Sequence, residues 1–163
     1  MDNFKKDRLM IGHGIIFSKK DCSITPEERE RMSRIPYAST VGSIMYAITC
    51  TKSDVAYSLG VVSRYQSDLG EKHWKIAKVI LKYLRNTKGQ WLIYGDSNLK
   101  LMGYTDFNFQ SDCDDSRSMS DYVFTLNEGA ICWKSFKQHT VADSVCEVEY
   151  IATSNAAKEV VWL

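Results

Sequence analysis

Leu99-Lys100-Leu101-Met102-Gly103-Tyr104-Thr105-Asp106 is the stretch on which the reading of this chain turns. Large residues fall on both faces of its alternation and a carboxylate stands where the apolar run stops, which predicts a strand closed by an acid. Two more strands are expected at Asp121–Leu126 and Ala130–Lys134. Asn127-Glu128-Gly129 joins them as a hairpin, with glycine as the residue suited to a positive φ. A helix is expected to open at Ser144, with Glu147 in its first turn. Packed on the sheet, that helix would bring Asp106 and Glu147 into one polar pocket.

Moving upstream, Trp91–Tyr94 reads as a short strand and Gly95-Asp96-Ser97-Asn98 as a turn. The composition changes here: Asp96 to Glu128 holds seven acids against Lys100 and Arg117. A domain boundary is therefore expected at about residue 95. Residues 1–95 read as helical and 96–163 as strand, strand, strand, helix, so the chain as a whole is α/β (α+β).

Glu71–Thr87 is the clearest amphipathic helix, with Trp74, Ala77, Ile80, Leu81 and Leu84 at three- and four-residue steps. Lys75, Lys78, Lys82 and Arg85 keep the same period on another face, and from Glu71 to Lys88 six bases meet one acid. With Lys72 they form a stripe able to grip a phosphate backbone. A solvated helix face has the same pattern, and both readings stand.

Closer to the N-terminus, Thr25-Pro26-Glu27-Glu28 starts a short helix that should end before Pro36: an N-cap hydroxyl, proline at the first helical position, then acids near the positive end of the dipole. Tyr37–Cys50 has the spacing of a largely buried helix. Thr51-Lys52-Ser53-Asp54 resembles a capping box, and the helix after it would carry Val55, Leu59, Val62 and Tyr65 on one side until Asp68-Leu69-Gly70 breaks it. Gly12–Phe17 is a candidate short strand.

Length and charge bound the function. The 163 residues suffice to bury a core, and a formal net charge of +1 means that any nucleic-acid affinity must come from local patches. No apolar run approaches the roughly 18–20 residues that span a bilayer. Met1-Asp2-Asn3-Phe4-Lys5-Lys6 lacks the apolar core of a signal peptide, so no membrane association is expected. Cys22, Cys50, Cys113, Cys132 and Cys146 are odd in number, widely spaced and without a CxxC pair, which fits reduced thiols in an intracellular setting. His13, His73 and His139 are too far apart to predict a metal site.

The chemistry on offer is carboxylate chemistry. Asp106 is followed by Asn108, Asp112, Asp114 and Asp115, a set of oxygen donors that suits Mg²⁺. Two such ions about 4 Å apart can activate a water and stabilise a leaving oxygen in phosphodiester cleavage. Asp-rich loops are also common as solvated turns. Ser144-Val145-Cys146-Glu147 fits the S-x-x-E capping box, a role for Glu147 that needs no metal, and Glu149 would point elsewhere around the helix. GxSxG, HExxH and GxxxxGK[ST] are all absent, and Cys146 has no histidine placed by sequence to act as its base.

An ordered series over roughly residues 20–163 is familiar: Thr25-Pro-Glu-Glu-Arg-Glu-Arg-Met, Ile35-Pro-Tyr-Ala-Ser-Thr-Val-Gly-Ser-Ile-Met-Tyr-Ala, Ser53-Asp-Val-Ala-Tyr, Val61-Val-Ser-Arg-Tyr, His73-Trp, Leu81-Lys-Tyr-Leu-Arg-Asn-Thr, Gly103-Tyr-Thr-Asp, Tyr122-Val-Phe-Thr-Leu, Gly129-Ala-Ile-Cys-Trp-Lys-Ser and Glu147-Val-Glu-Tyr-Ile-Ala. It resembles the C-terminal part of the Pol polyprotein of copia-type LTR retrotransposons, where reverse transcriptase passes into RNase H. The resemblance implies that the helical part is the thumb and connection side of the polymerase. Residues from about 99 would begin a truncated RNase H-like fold of three antiparallel strands and its first helix. It also implies Mg²⁺-dependent hydrolysis of the RNA strand of an RNA/DNA hybrid, with Asp106 and Glu147 as catalytic and metal-binding carboxylates. The partners it implies are nucleic acid and the remainder of Pol, in the cytoplasm (within a virus-like particle) or the nucleus.

Several positions depart from the family's pattern. Asn108 stands where an acid is common, Gln110-Ser111 replaces a small pair, Asp121 replaces glycine, and Asp143-Ser-Val-Cys replaces a more apolar approach to the glutamate. The later catalytic aspartates would lie beyond Leu163, and those of the polymerase before Met1. Two carboxylates leave too few ligands for two near-octahedral ions, so no ribonuclease activity is expected from this chain alone. The alternative function is a non-catalytic nucleic-acid-binding module that uses the basic 72–88 helix.

Overall fold

The structure, a computed structural model, describes residues 17–95 and 99–163; most of the candidate strand at 12–17 lies outside them. In order come a 3-10 turn at Lys19–Asp21, α1 (Pro26–Ser33), α2 (Tyr37–Ile48), a second 3-10 turn at Ser53–Val55, α3 (Ala56–Ser63) and α4 (Glu71–Asn86). They are followed by β1 (Leu101–Asn108), β2 (Met119–Leu126), β3 (Gly129–Lys137) and α5 (Val145–Val160). The fold is mixed α/β with an antiparallel sheet in the order β1-β2-β3.

Local chemistry explains the helix starts. The Thr25 hydroxyl accepts from the Glu28 N–H, and the Glu28 carboxylate accepts from the Thr25 N–H in return, while Pro26 needs no amide partner at the first helical position. Gly70 precedes α4 where any Cβ would lie 1.8 Å from the Asp21 carbonyl oxygen, so only glycine fits. Thr51 does not cap the next helix as its spacing predicts: its hydroxyl donates to the Ala47 carbonyl and closes the end of α2, and Lys52 leads the second 3-10 turn without a side-chain cap.

Apolar periodicity becomes a shared core. Tyr37, Val41, Ile44 and Ile48 of α2 meet Val55, Leu59 and Val62 and, from α4, Ala77 and Ile80. Each fully buried Val or Ile side chain contributes about 1.5–3 kcal/mol. Leu81, expected on the packed face of α4, is 40% exposed. His73 is buried instead, stacked on Tyr65 with ring centroids 4.2 Å apart. The 3.6-residue period permits either set, and the position of α3 selects the one that is buried.

The expected strand at Trp91–Tyr94 is irregular chain. Tyr94 reaches the sheet through its side chain, whose hydroxyl donates to the Ala130 carbonyl at 2.5 Å, rather than through a backbone ladder. The hairpin also differs from expectation. Leu126 pairs with Gly129, so the turn residues are Asn127 and Glu128, with φ of 49° and 68°. Positive φ at both positions gives the turn a twist that matches its strands. Gly129 lies in the strand, close against the Tyr94 ring.

Helices pack on both faces of the sheet, while β1 stays exposed from Leu101 to Asp106. α5 packs across β1 and β2, with Ala156 against Tyr122 and Phe124. On the other face α3 lies on β3, where a Cβ on Gly60 would sit 3.4 Å from Ser135. The helical and sheet parts are therefore packed together across the composition change near residue 95.

Candidate functional site

Strand alternation sorts the candidate residues. On β2, Tyr122 and Phe124 face α5, so Asp121 and Val123 face the other way. Asp106 is directly opposite Asp121 in the β1–β2 register, and Asp121 is opposite Ser135 of β3. The face carrying these residues forms one wall of a cavity of about 280 Å³ beneath the 3-10 turn and α3, whose lining includes Asp54, Tyr57, Tyr104, Asp106, Asp121 and Trp133. Burial, then the charge of Asp121, raises the Tyr57 hydroxyl above its ordinary range. Burial and the hydrogen bond to Asp54 push the Tyr83 hydroxyl up to about 12.

Asp106 lines this cavity, and Glu147 does not. The Asp106 carboxylate is exposed and accepts the Phe107 N–H at 2.9 Å. Glu147 is exposed at the start of α5, where its N–H donates to the Ser144 hydroxyl at 3.2 Å. Its carboxylate takes the Asp143 N–H at 3.0 Å, one residue before the return bond of a standard capping box. The cavity thus brings Asp106 together with Asp121 rather than with Glu147.

The other acids of the loop serve the fold. Asp112 is buried and binds Arg64, which caps the end of α3, at 2.8 Å and Lys137 of β3 at 2.7 Å. Burial opposes its charge, but the bonds from Lys137 and the Asp114 N–H, with the charge of Arg64, hold its carboxyl below the usual range. Asp115 binds Lys137 and Arg117, and Asp114 accepts the Lys19 N–H. Among the described residues no three His, Cys, Asp or Glu side chains are grouped to hold a metal ion, so the donors present do not fit a two-metal centre. All five cysteines are free thiols.

The basic residues of α4 all lie on its exposed side, away from Ala77 and Ile80. Lys72 pairs with Asp21, and Lys75 with Glu71 at 3.0 Å. Lys78 lies 5.9 Å from the centroid of the Trp74 ring. Lys82 and Arg85 complete the stripe. No helix among the described residues is long and apolar enough to cross a membrane.

Comparison with curated proteins places this arrangement. The chain is 46% identical, over all 163 residues, to the retrovirus-related Pol polyprotein from transposon TNT 1-94 of Nicotiana tabacum. It belongs to the copia-type Pol family. The match covers 12% of that polyprotein, so the chain corresponds to a segment of it. A second Pol polyprotein, from transposon RE2 of Arabidopsis thaliana, is 32% identical over 128 residues, 78% of the chain and 9% of that protein. Secreted RxLR effector protein 161 of Plasmopara viticola is 43% identical over 133 residues, 81% of the chain and 94% of its own length. No family model matches the chain. No solved structure matches it.

Asp121 was legible in the sequence only as a replacement for the family's glycine. Its place opposite Asp106 required the strand register, which no residue pattern prints.

Proposed function

We propose that this Pol segment carries the opening of an RNase H-like domain on the connection side of a reverse transcriptase, and that its ancestral chemistry is Mg²⁺-dependent hydrolysis of RNA in RNA/DNA hybrids. The observation that carries the reading is the 46% identity to a Pol polyprotein along the whole chain. The antiparallel β1-β2-β3 sheet followed by a helix packed on β1 and β2 supports it. Asp106 and Glu147 are the residues at the family's first two carboxylate positions. They reside on a strand face and at a helix start that the cavity does not join, so the segment by itself is proposed to be inactive, with the remaining ligands supplied by other parts of Pol. The test is to incubate the purified chain with Mg²⁺ and a labelled RNA/DNA hybrid. Intact hybrid is expected. Cleavage that disappears in Asp106→Asn would overturn the proposed inactivity and establish the carboxylate chemistry in this segment.

A second reading is favoured by the exposure of Lys72, Lys75, Lys78, Lys82 and Arg85 on one side of α4. In it the segment holds nucleic acid without cutting it. Phosphate binding releases counterions, so affinity for a hybrid should fall steeply between low and physiological salt. A flat salt response removes this reading.

A further inference from the structure

The two outer strands of the sheet are unlike. β3 carries Lys134 and Lys137 and receives the Tyr94 hydroxyl at its Ala130 carbonyl. β1 has no such guard: from Leu101 to Thr105 it holds no charge and no proline, and every residue is exposed. Its backbone phase follows from the Asn127 N–H, which donates to the Lys100 carbonyl at 3.2 Å. Lys100 therefore bonds toward β2, and by alternation so do Met102, Tyr104 and Asp106. The N–H and C=O groups of Leu101, Gly103 and Thr105 point the other way, where no strand among the described residues meets them. Phe107 is next in that outward series, and its N–H is held by the Asp106 carboxylate rather than by a strand. An edge of this kind is a template for one more strand.

We propose that β1 pairs with the same strand of a second copy of this chain, antiparallel about a two-fold axis at Gly103. In that register Met102 faces Tyr104 of the second copy, Leu101 faces Thr105, and Lys100 faces Asp106. The outward groups of Leu101, Gly103 and Thr105 then bond to one another, and the two sheets become one. Charge selects both the occupant and the register. Lys100 and Asp106 are exposed, opposite in sign and equally far from Gly103, so symmetry produces two attractive cross-strand pairs. An axis at Met102 sets Lys100 against Tyr104, and one at Tyr104 sets it against Asn108, so neither has the match. Met102 and Tyr104 are already neighbours on one face, and in the pair each gains the other's counterpart, sulfur against ring. Each copy uses the edge once, so the assembly closes at two. The inference goes beyond the hydrolase reading and does not rest on it.

The full chain is followed by sedimentation equilibrium over a dilution series. The expected result is twice the 18.6 kDa chain mass at high concentration, falling to the single mass on dilution. Lys100→Glu and Asp106→Lys each set like charges opposite one another and should weaken the dimer at least about fivefold. Combined, they exchange the signs and should restore it. Thr105→Pro removes an outward donor and none of the β1–β2 bonds, so it should abolish the dimer with the far-ultraviolet circular dichroism unchanged. The charge exchange, made only at exposed positions, decides the question even if Thr105→Pro unfolds. In hydrogen exchange the Gly103 and Thr105 amides should be protected in the dimer and open in the monomer. A single mass at every concentration would overturn the proposal, as would a dimer that both single charge variants leave unchanged. A double variant no stronger than the singles overturns it too. Protection of the two amides in the monomer would mean that another segment of the chain covers the edge, and species larger than two would refute closed pairing. Either overturns the proposal. Results for hybrid cleavage or hybrid binding leave these outcomes untouched.

Discussion

Replacing Asp112 by alanine removes the group that ties three parts of the chain together. Its carboxylate, with a side chain 4% exposed, binds Arg64 at the end of α3 and Lys137 of β3 and also accepts the Asp114 N–H at 2.9 Å. Breaking a buried ion pair by removing one partner costs about 3–5 kcal/mol, because the other charge is left without compensation. Arg64 and Lys137 retain 23% and 24% side-chain exposure, so both can recover part of their hydration. That discount puts the expected loss at about 2–3 kcal/mol. For a chain of this size each kcal/mol moves the melting point by about 2–4 °C, so a fall of roughly 4–12 °C is expected. Urea unfolding followed by circular dichroism gives the free energy directly, and Lys137→Met in a double-mutant cycle isolates the coupling. The pH dependence gives a second handle. The folded carboxyl is depressed below its ordinary 3.8, so its stabilisation is complete above that value and is lost as pH falls through the folded pKa. The wild type should therefore lose an acid-sensitive increment that Asp112→Ala lacks. A variant with a wild-type urea midpoint and no coupling to Lys137 would refute the reasoning.

Two further predictions concern backbone strain and a buried ring. Glu128 holds φ at 68°, so Glu128→Gly should stabilise the chain by about 0.5–1 kcal/mol, read as a rise in melting temperature; an unchanged or lower value would contradict the turn assignment. His73 accepts the Gly70 N–H at Nδ1, which leaves the proton of the neutral ring on Nε2, buried without a partner among the described residues. Burial lowers its folded pKa below the ordinary 6.5, against the opposing pull of Asp21 and Asp68. Below about 6.5 the unfolded chain takes up a proton that the folded chain resists, so stability should decline as pH drops from there. His73→Gln should flatten that decline in urea midpoints measured between about pH 7.5 and 5, and parallel curves would exclude the ring as its source.

The residue pattern alone was enough to place α1, α2, α4, the three strands and α5, because capping, proline placement and apolar period act over a few neighbouring residues. Thr25, Glu28 and Ser144 occupy the capping positions their spacing announced. The mixed α/β class was legible for the same reason, and so was the family, since an ordered series of short motifs survives substitution at single positions. The departures came where distant segments meet. Thr51 turned back to α2, the positive φ fell on Asn127 and Glu128 rather than on Gly129, and on α4 His73 is buried while Leu81 is left 40% exposed. Strand register decided the site. A one-residue difference in pairing moves a side chain to the other face, so which acid stands beside Asp106 depends on pairings that no local stretch encodes. The pleat sets Asp106 beside Asp121 on the α3 side of the sheet, while α5, which carries Glu147, packs on the opposite face.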